Sequence, residues 1–305
     1  MDLAVIADPL DRLDPAVDTT LGLIAAARAR GHRVLVGERH HLALVGGSAR
    51  ASLAPVDEPA RRRGVALDDV DALLFRTDPP VDRAYFDATL ILDLVDATGP
   101  VLVNDPRGIR LANEKLWALA HPDLGPPTLV AADADLIAGF VDEHRQCVIK
   151  PIDGHAGRSV LRLDADDPNR DSIVELLTDW GRHQVVIQPW LPAVRAGNKR
   201  IFLHAGEPVG AVLRFPAEGG DFRIGMPARV AELTDRDREI CDRIGPELVA
   251  LGLVLVGLDV IDGHLIEVNV TSSGALHKAD RLLGTDLCGG FVRLLESLTT
   301  TRRTQ

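Results

Sequence analysis

Short apolar runs alternate with helical stripes through the first third of the chain, and few architectures accept that alternation. Leu3–Ala7 is an apolar run closed by Asp8-Pro9. Pro15–Arg30 places Leu21, Ile24 and Ala25 on one stripe and meets Gly31 as its stop, so it reads as a helix. Val34-Leu35-Val36 is a second strand. Asp71–Arg76 and Val101–Asn104 are two more, separated by the helical pattern of Arg83–Ala97. Strands spaced by helices predict a parallel sheet with helices on both faces. Ala54–Arg63 is polar and Arg-rich and reads as a mobile loop.

The pattern changes near residue 113. Thr128–Val130, Val148–Lys150, Ser159–Leu163 and Val185–Gln188 read as short strands around the helical stretches Ala134–His144 and Ile173–Trp180. Lys199–His204 and Val209–Phe215 predict a hairpin turning at Ala205-Gly206-Glu207-Pro208. A helix over about Asp235–Leu251 precedes a second apolar pair, Val254–Ile261 and Leu265–Val270, around Asp262-Gly263. Ala275–Leu298 is mainly helical, and Thr299–Gln305 reads as a frayed end. The expected class is α/β, with α+β modules after a doubly wound start.

Composition narrows the functions. The 305 residues are 46% hydrophobic and 26% charged, the balance of a soluble globular protein. Lys and Arg total 34 against 45 Asp and Glu, a net charge of −11. That surplus argues against broad nucleic-acid or anionic-membrane binding. No apolar run reaches the length of a membrane span. The acidic start, Met1-Asp2-Leu3, lacks the basic flank of a signal peptide. Cys147, Cys241 and Cys288 are far apart in sequence, which suits reduced structural thiols in a cytoplasmic protein. His40-His41 reads as a surface pair.

Three features carry chemistry. In Leu265–Val270, Glu267 and Asn269 share one strand face, while Ile266, Val268 and Val270 are expected in a core. Asp259 joins the Glu267 face if the connection has three residues or carries a bulge. A plain two-residue turn puts it on the opposite face. Two acids and an amide oxygen make a hard site suited to Mg²⁺. The same residues also suit a solvated strand with scattered acids. The second feature is a set of cations: Lys115, Lys150 at the end of an apolar strand, and Lys199-Arg200. Buried, they demand anionic partners; exposed, they are ordinary surface charges. The third is the small-residue loop Asp153–Ser159. It fits phosphate approach or an ordinary turn, and it lacks the Gly-Lys-Ser/Thr ending of a Walker loop.

In order, these pieces resemble the ATP-grasp superfamily, and within it prokaryotic glutathione synthetases. The resemblance runs through Ala7-Asp8-Pro9, Gly46–Ala51, Arg76-Thr77-Asp78-Pro79-Pro80 and Val103-Asn104-Asp105-Pro106. It continues through Asn113-Glu114-Lys115-Leu116, Ile149–Gly154, Gln188–Pro192, Gly197–Arg200 and Gly206–Val209. It closes with Val256–Asp259 and Glu267–Ser272. It implies an N-terminal α/β domain at 1–112, a central module at 113–192 and a C-terminal module at 193–305, the two modules clamping ATP. By this likeness Lys115 and Lys150 reach the phosphates, with Gly154, Gly157 and Ser159 in a flexible loop above them. Gln188, Trp190 and Leu191 meet the adenine, and Asn198 and Lys199 complete the nucleotide site. Asp259, Glu267 and Asn269 match the metal ligands, for two Mg²⁺ ions with Mn²⁺ as a substitute. Arg200 matches the catalytic donor to a developing oxyanion. Asp8, Arg76, Asp78, Arg214, Arg223, Thr271, Ser272 and Ser273 match the substrate side.

The implied reaction is ATP-dependent joining of a carboxylate to an amine through an acyl phosphate. The implied partners are a small-molecule acid and amine, in a homo-oligomer. Three departures keep alternatives open. Beyond Arg223 the family's long lid is reduced to Ile224–Val230, and Asn198 stands where the family has Asp. Thr271–Lys278 also diverges after its Thr-Ser pair, leaving His277 and Lys278 either against a different carboxylate or solvated. The alternatives are a ligase for a specialised metabolite and a non-catalytic nucleotide-binding protein.

Overall fold

The computed structural model describes residues 1–154, 157–216 and 221–304. The chain opens with β1 (Asp2–Ala7), α1 (Thr19–Ala29), β2 (Arg33–Gly37), β3 (Leu42–Val45), β4 (Ser48–Pro55), β5 (Arg63–Ala66), β6 (Ala72–Arg76), α2 (Arg83–Leu92), β7 (Val101–Val103) and α3 (Pro106–Leu111). As expected, β2, β1, β6 and β7 are parallel neighbours. Alternation along β1 explains the helices on both faces. Leu3 and Val5 join Leu23, Ile24 and Ala27 of α1 in one core. Ala4 and Ile6 join Tyr85, Ala88 and Ile109 of α2 and α3 in another.

Several expectations need correction here. The start of the 54–63 loop belongs to β4, and Arg63 opens β5; with β3 these strands add an antiparallel extension beyond β2. The inward positions of β4 include Ala49 and Ala51, too small to give a clear apolar alternation. Helix α1 begins at Thr19 rather than Pro15, because the Asp18 side chain accepts the Leu21 N–H at 3.0 Å. Helix α2 stops at Leu92.

Next come β8 (Leu129–Ala131), α4 (Ala134–His144), β9 (Gln146–Pro151), β10 (Leu161–Asp164), α5 (Arg170–Thr178) and β11 (Val185–Pro189). The strands form an antiparallel sheet in the order β10-β9-β11-β8. Cys147 and Ile149 turn toward Ile137, Val141 and Val174 of the helices. Val148 and Lys150 therefore take the uncovered face.

The remainder holds β12 (Asn198–His204), β13 (Glu207–Pro216), β14 (Ile224–Val230), α6 (Asp235–Ala250), β15 (Leu255–Ile261), β16 (His264–Asn269), α7 (Leu276–Leu283) and α8 (Leu287–Arg303). The antiparallel order is β14-β13-β12-β15-β16. Ile201, Leu203, Val256 and Leu258 pack on Ile240, Ile244 and Leu248 of α6. Phe202, Val212 and Leu255 pack on Phe291 of α8. Residues 224–230, expected as a lid remnant, form a paired edge strand. Ala217, Glu218, Gly219 and Gly220 lie outside the described residues. The tail is not frayed at Thr299: α8 runs to Arg303, where Arg302 donates to the Pro100 carbonyl and Arg303 pairs with Asp71. Gln305 is outside the described residues. Among the described residues no helix is long and apolar enough to cross a membrane.

Gly108 marks the closest approach between α3 and the turn after α6. A Cβ there collides with the Leu251 carbonyl oxygen and the Leu253 side chain. Gly108→Ala is expected to lower stability by about 1–3 kcal/mol, read by urea denaturation.

Candidate nucleotide and metal site

The β15–β16 hairpin settles where Asp259 points. Its turn has two residues, Asp262 and Gly263, both with positive φ (50° and 74°). A regular ladder from that turn separates Asp259 from Glu267. Instead Val260 pairs with Leu265 and Asp259 with Glu267, so Ile266 is an extra residue on β16. The bulge turns Ile266 and Glu267 toward the same cleft. This corrects the expected core position of Ile266. Val268 and Val270 keep theirs. Asn269 donates from Nδ2 to the Gly257 carbonyl at 3.1 Å, which leaves its Oδ1 toward the cleft. Gly257 itself is needed for close approach: a side chain there meets Ser273 Oγ and Arg200 Cδ.

Four cations surround these oxygens. Arg200 donates from Nε to Asp259 Oδ1 at 2.6 Å and from Nη2 to Oδ2 at 3.0 Å. Arg214 donates from Nη2 to Asp259 Oδ1 at 2.6 Å and to Asn198 Oδ1 at 3.2 Å. Lys150 Nζ lies 3.3 Å from Glu267 Oε1, and Lys115 Nζ lies 4.0 Å from the same oxygen. Lys115 also donates to the carbonyls of Gly154 and Ile152. Burial opposes ionisation of Asp259, yet the Arg200 and Arg214 guanidiniums hold its carboxyl well below the usual range. Burial pushes the Lys150 ammonium down, against the attraction of Glu267. Burial and the neighbouring Arg200 pull Arg214 down, and its buried Nε has no partner among the described residues.

The cleft extends as a cavity of about 310 Å³ between the two antiparallel sheets. Its lining is apolar at Val148, Val160, Leu191, Val194, Ile261 and Ile266. Gln188 donates to Thr128 Oγ1 at 3.0 Å. The Trp190 ring lies edge-to-face with Phe222, centroids 4.9 Å apart, and 5.3 Å from the Arg162 guanidinium carbon. Gly154, Gly157 and Arg158 border the opening, and Arg223 lies against Gly157. Residues His155 and Ala156 of the small-residue loop lie outside the described residues. Leu191 apart, the apolar lining and Arg158 are not among the residues expected from the sequence. Period-two spacing from Lys150 was the available signal for Val148.

A second cluster adjoins this one. Asp8 accepts the Asp78 N–H at 2.8 Å, and Ser272 Oγ bonds the Asp78 carboxylate. Arg76 is buried and, among the described residues, donates to neutral oxygens alone, Thr20 Oγ1 at 3.3 Å and the Ser273 carbonyl at 3.1 Å. Thr271 bonds Glu114. Arg200 Nη1 reaches the Gly274 carbonyl at 3.5 Å, so adjacent carbonyls link the clusters. Two expected nucleotide contacts fall elsewhere. Lys199 sits on the opposite face from Asn198 and Arg200, and its ammonium bonds Asp237 and the Glu232 carbonyl. Ser159 is exposed and outside the cleft lining. His277 lies against Gly22 of α1, grouped with Asp280 and Cys288, rather than in the cleft.

Asp259, Glu267 and Asn269 fit a hard divalent cation: all three offer oxygen, and the two acids are cross-strand neighbours. Four cations against two carboxylates leave an excess of positive charge, which a triphosphate matches. Asp259→Ala strands both arginines beside an apolar hole. It is expected to cost about 3–5 kcal/mol in urea denaturation at neutral pH. The native Asp259 pKa is depressed, so its contribution is complete above the unfolded value of about 4 and fades as pH falls. The gap between wild type and variant therefore closes on acidification.

The comparisons with known proteins agree with this geometry. Residues 1–110 match the prokaryotic glutathione synthetase N-terminal domain, and residues 114–284 match the prokaryotic glutathione synthetase ATP-grasp domain. The chain is 40% identical to the glutathione synthetase of Synechocystis sp., covering 94% of this chain and 96% of that one. It is 38% identical to the glutathione synthetase of Pseudomonas syringae pv. tomato, covering 96% of each. Among solved structures it is similar to D-cycloserine synthetase DcsG, with a TM-score of 0.69, 18% identity and coverage of 98% and 100%. It also resembles the ATP-grasp ligase PsnB in complex with a minimal precursor, with a TM-score of 0.67, 21% identity and coverage of 97% and 98%. At those identities the two structures speak for the fold. The chain has the ATP-grasp fold, belongs to the prokaryotic glutathione synthetase family, and is an ATP-dependent ligase that forms carbon–nitrogen bonds.

Proposed function

We propose that the chain joins the carboxyl group of γ-glutamylcysteine to the amine of glycine while converting ATP to ADP and phosphate. One observation carries the site reading: Lys115, Lys150, Arg200 and Arg214 converge on Asp259 and Glu267 in one cleft with an apolar lining. The identity to glutathione synthetases over nearly the whole chain supports the substrate pair. In this reading residues 1–112, 113–192 and 193–305 act as three units. Lys115 and Lys150 hold the phosphates, with Asn198, Gly154 and Gly157 beside them. Gln188, Trp190 and Leu191 hold the base. Arg76, with Asp8, Asp78, Thr271, Ser272 and Ser273, binds the acceptor acid. A buried guanidinium bonded, among the described residues, to neutral oxygens alone supports a carboxylate as its ligand.

Asp259, Glu267 and Asn269 would hold divalent ions, which we take as two Mg²⁺ with Mn²⁺ as a substitute; the ions supply charge neutralisation at the phosphates. An acceptor carboxylate oxygen attacks the γ-phosphorus, and the bond to the ADP oxygen breaks. The amine nitrogen then attacks the acyl carbon, the bond to phosphate breaks, and the nitrogen loses a proton. Arg200, with Arg214 on the same Asp259 carboxylate, faces the charge that grows on the carbonyl oxygen, and Arg223 at the Gly157 side of the cleft belongs to the substrate side. These residues work by position and charge, and no side-chain nucleophile is required. The reading extends to a cytoplasmic homo-oligomer that acts on small molecules and binds no nucleic acid.

Phosphate release with the γ-glutamylcysteine and glycine pair, together with glutathione detected by mass spectrometry, tests the substrates. Lys150→Ala is expected to lower kcat by about 10²–10³-fold. Arg76→Ala is expected to raise KM for the acid and leave KM for ATP near its wild-type value. Turnover only with another acid and amine favours the specialised-metabolite alternative, for which the paired strand Ile224–Val230 in place of an open lid is the supporting observation. ATP binding without turnover on a broad panel of acids and amines contradicts both.

A further inference from the structure

One buried carboxylate beside the cleft has no part in the mechanism above. Glu114 lies where the chain leaves α3 for the central sheet, and it grips the end of β16 twice. Its backbone carbonyl accepts the Val268 N–H at 2.8 Å. Its Oε1 accepts the Val270 N–H at 3.0 Å, the Thr271 N–H at 3.1 Å and the Thr271 hydroxyl at 2.8 Å. Asn269 is thus bracketed: the amides before and after it end on one residue. From the other side Asn104 donates to the Val270 carbonyl at 2.7 Å. Next to Glu114 in sequence is Lys115, whose ammonium reaches Glu267 and the Gly154 carbonyl. Asn113 fixes that turn, its Oδ1 accepting the N–H groups of Lys115 at 3.0 Å and Leu116 at 3.1 Å.

We infer that Glu114 is a positioning residue that holds the metal donors of β16 and the Lys115 ammonium in one fixed arrangement. With three donors on Oε1, this oxygen is committed to the backbone and has no capacity left to act as a ligand or base. Its effect passes through Val270 and Thr271 to Asn269, and through the chain to Lys115. Lys115 belongs to the lead-in of one sheet and Asn269 to the edge strand of the other. Without the carboxylate, the Val268 bond to the Glu114 carbonyl remains, but the stretch after Asn269 loses its tie to the turn that carries Lys115. What the clamp requires is an acceptor oxygen at the right reach, not a negative charge.

The inference rests on reading Asp259, Glu267 and Asn269 as metal donors. Calorimetric titration of the full chain with the non-hydrolysable analogue AMPPNP, with and without Mg²⁺, tests both and needs no knowledge of the acceptor acid. Wild type is expected to bind the analogue more tightly with Mg²⁺. Glu114→Ala is expected to lose about 10–100-fold of the Mg²⁺-dependent affinity, with a smaller loss of metal-free affinity passed through Lys115. Glu114→Gln keeps the acceptor oxygen and is expected to keep the wild-type ratio. Glu114→Asp keeps the charge but withdraws the oxygen, so it is expected to fall with the alanine variant and carries the test if that variant does not fold. Wild-type Mg²⁺ dependence in Glu114→Ala or Glu114→Asp overturns the inference, as does a Glu114→Gln loss equal to that of Glu114→Asp. Wild-type binding indifferent to Mg²⁺ instead overturns the metal assignment beneath it.

Discussion

Ile266 has no partner of its own on β15, and that surplus residue turns Glu267 to the side of Asp259. In an unbulged ladder from the same two-residue turn, the acids fall on opposite faces, one of them against α6. The bulge gathers both carboxylates where Arg200, Arg214, Lys115 and Lys150 converge. Everything chemical about the cleft depends on this local departure from regular pairing.

The cleft is also a problem in buried charge. Two guanidiniums share Asp259, two ammonium groups share Glu267, and Arg214 Nε has no partner among the described residues. Buried cations in excess of their anions are costly unless a ligand completes the pairing. The unmatched charge therefore fits a polyanion arriving with its metal. In the neighbouring cluster Arg76 has Asp18 and Asp78 nearby but, among the described residues, no direct bond to a carboxylate. Rigid strands and backbone hydrogen bonds hold these cations around fewer carboxylates than would pair them one to one, which is the form electrostatic preorganisation takes here.

Much of this was legible in the sequence, for identifiable reasons. Strand–helix alternation announced the parallel sheet because β1 is buried on both faces and its neighbours carry the apolar runs Val34–Val36 and Ala72–Phe75. Lys150 stood out because a lysine closing an apolar strand needs an anion. The bulge was not legible: hydrophobicity gives Ile266 to the core, and only the ladder shows it beside Glu267 in the cleft. Lys199 was misplaced although period two already put it opposite Asn198 and Arg200. Its proximity to Arg200 in sequence misled; its partner Asp237 lies on α6, a contact no local pattern reveals. The small strand β4, built on inward alanines, and the edge strand β14 gave too little apolar signal to be seen. Glu114 was visible only as part of a motif, since its partners lie more than 150 residues away.

A crystal structure of the chain with AMPPNP and Mg²⁺ tests the account most directly. The account predicts the phosphates between Lys115 and Lys150, and an ion about 2.0–2.1 Å from oxygens of Asp259, Glu267 and Asn269. Phosphates bound away from both lysines, or an ion held by none of the three side chains, contradicts it.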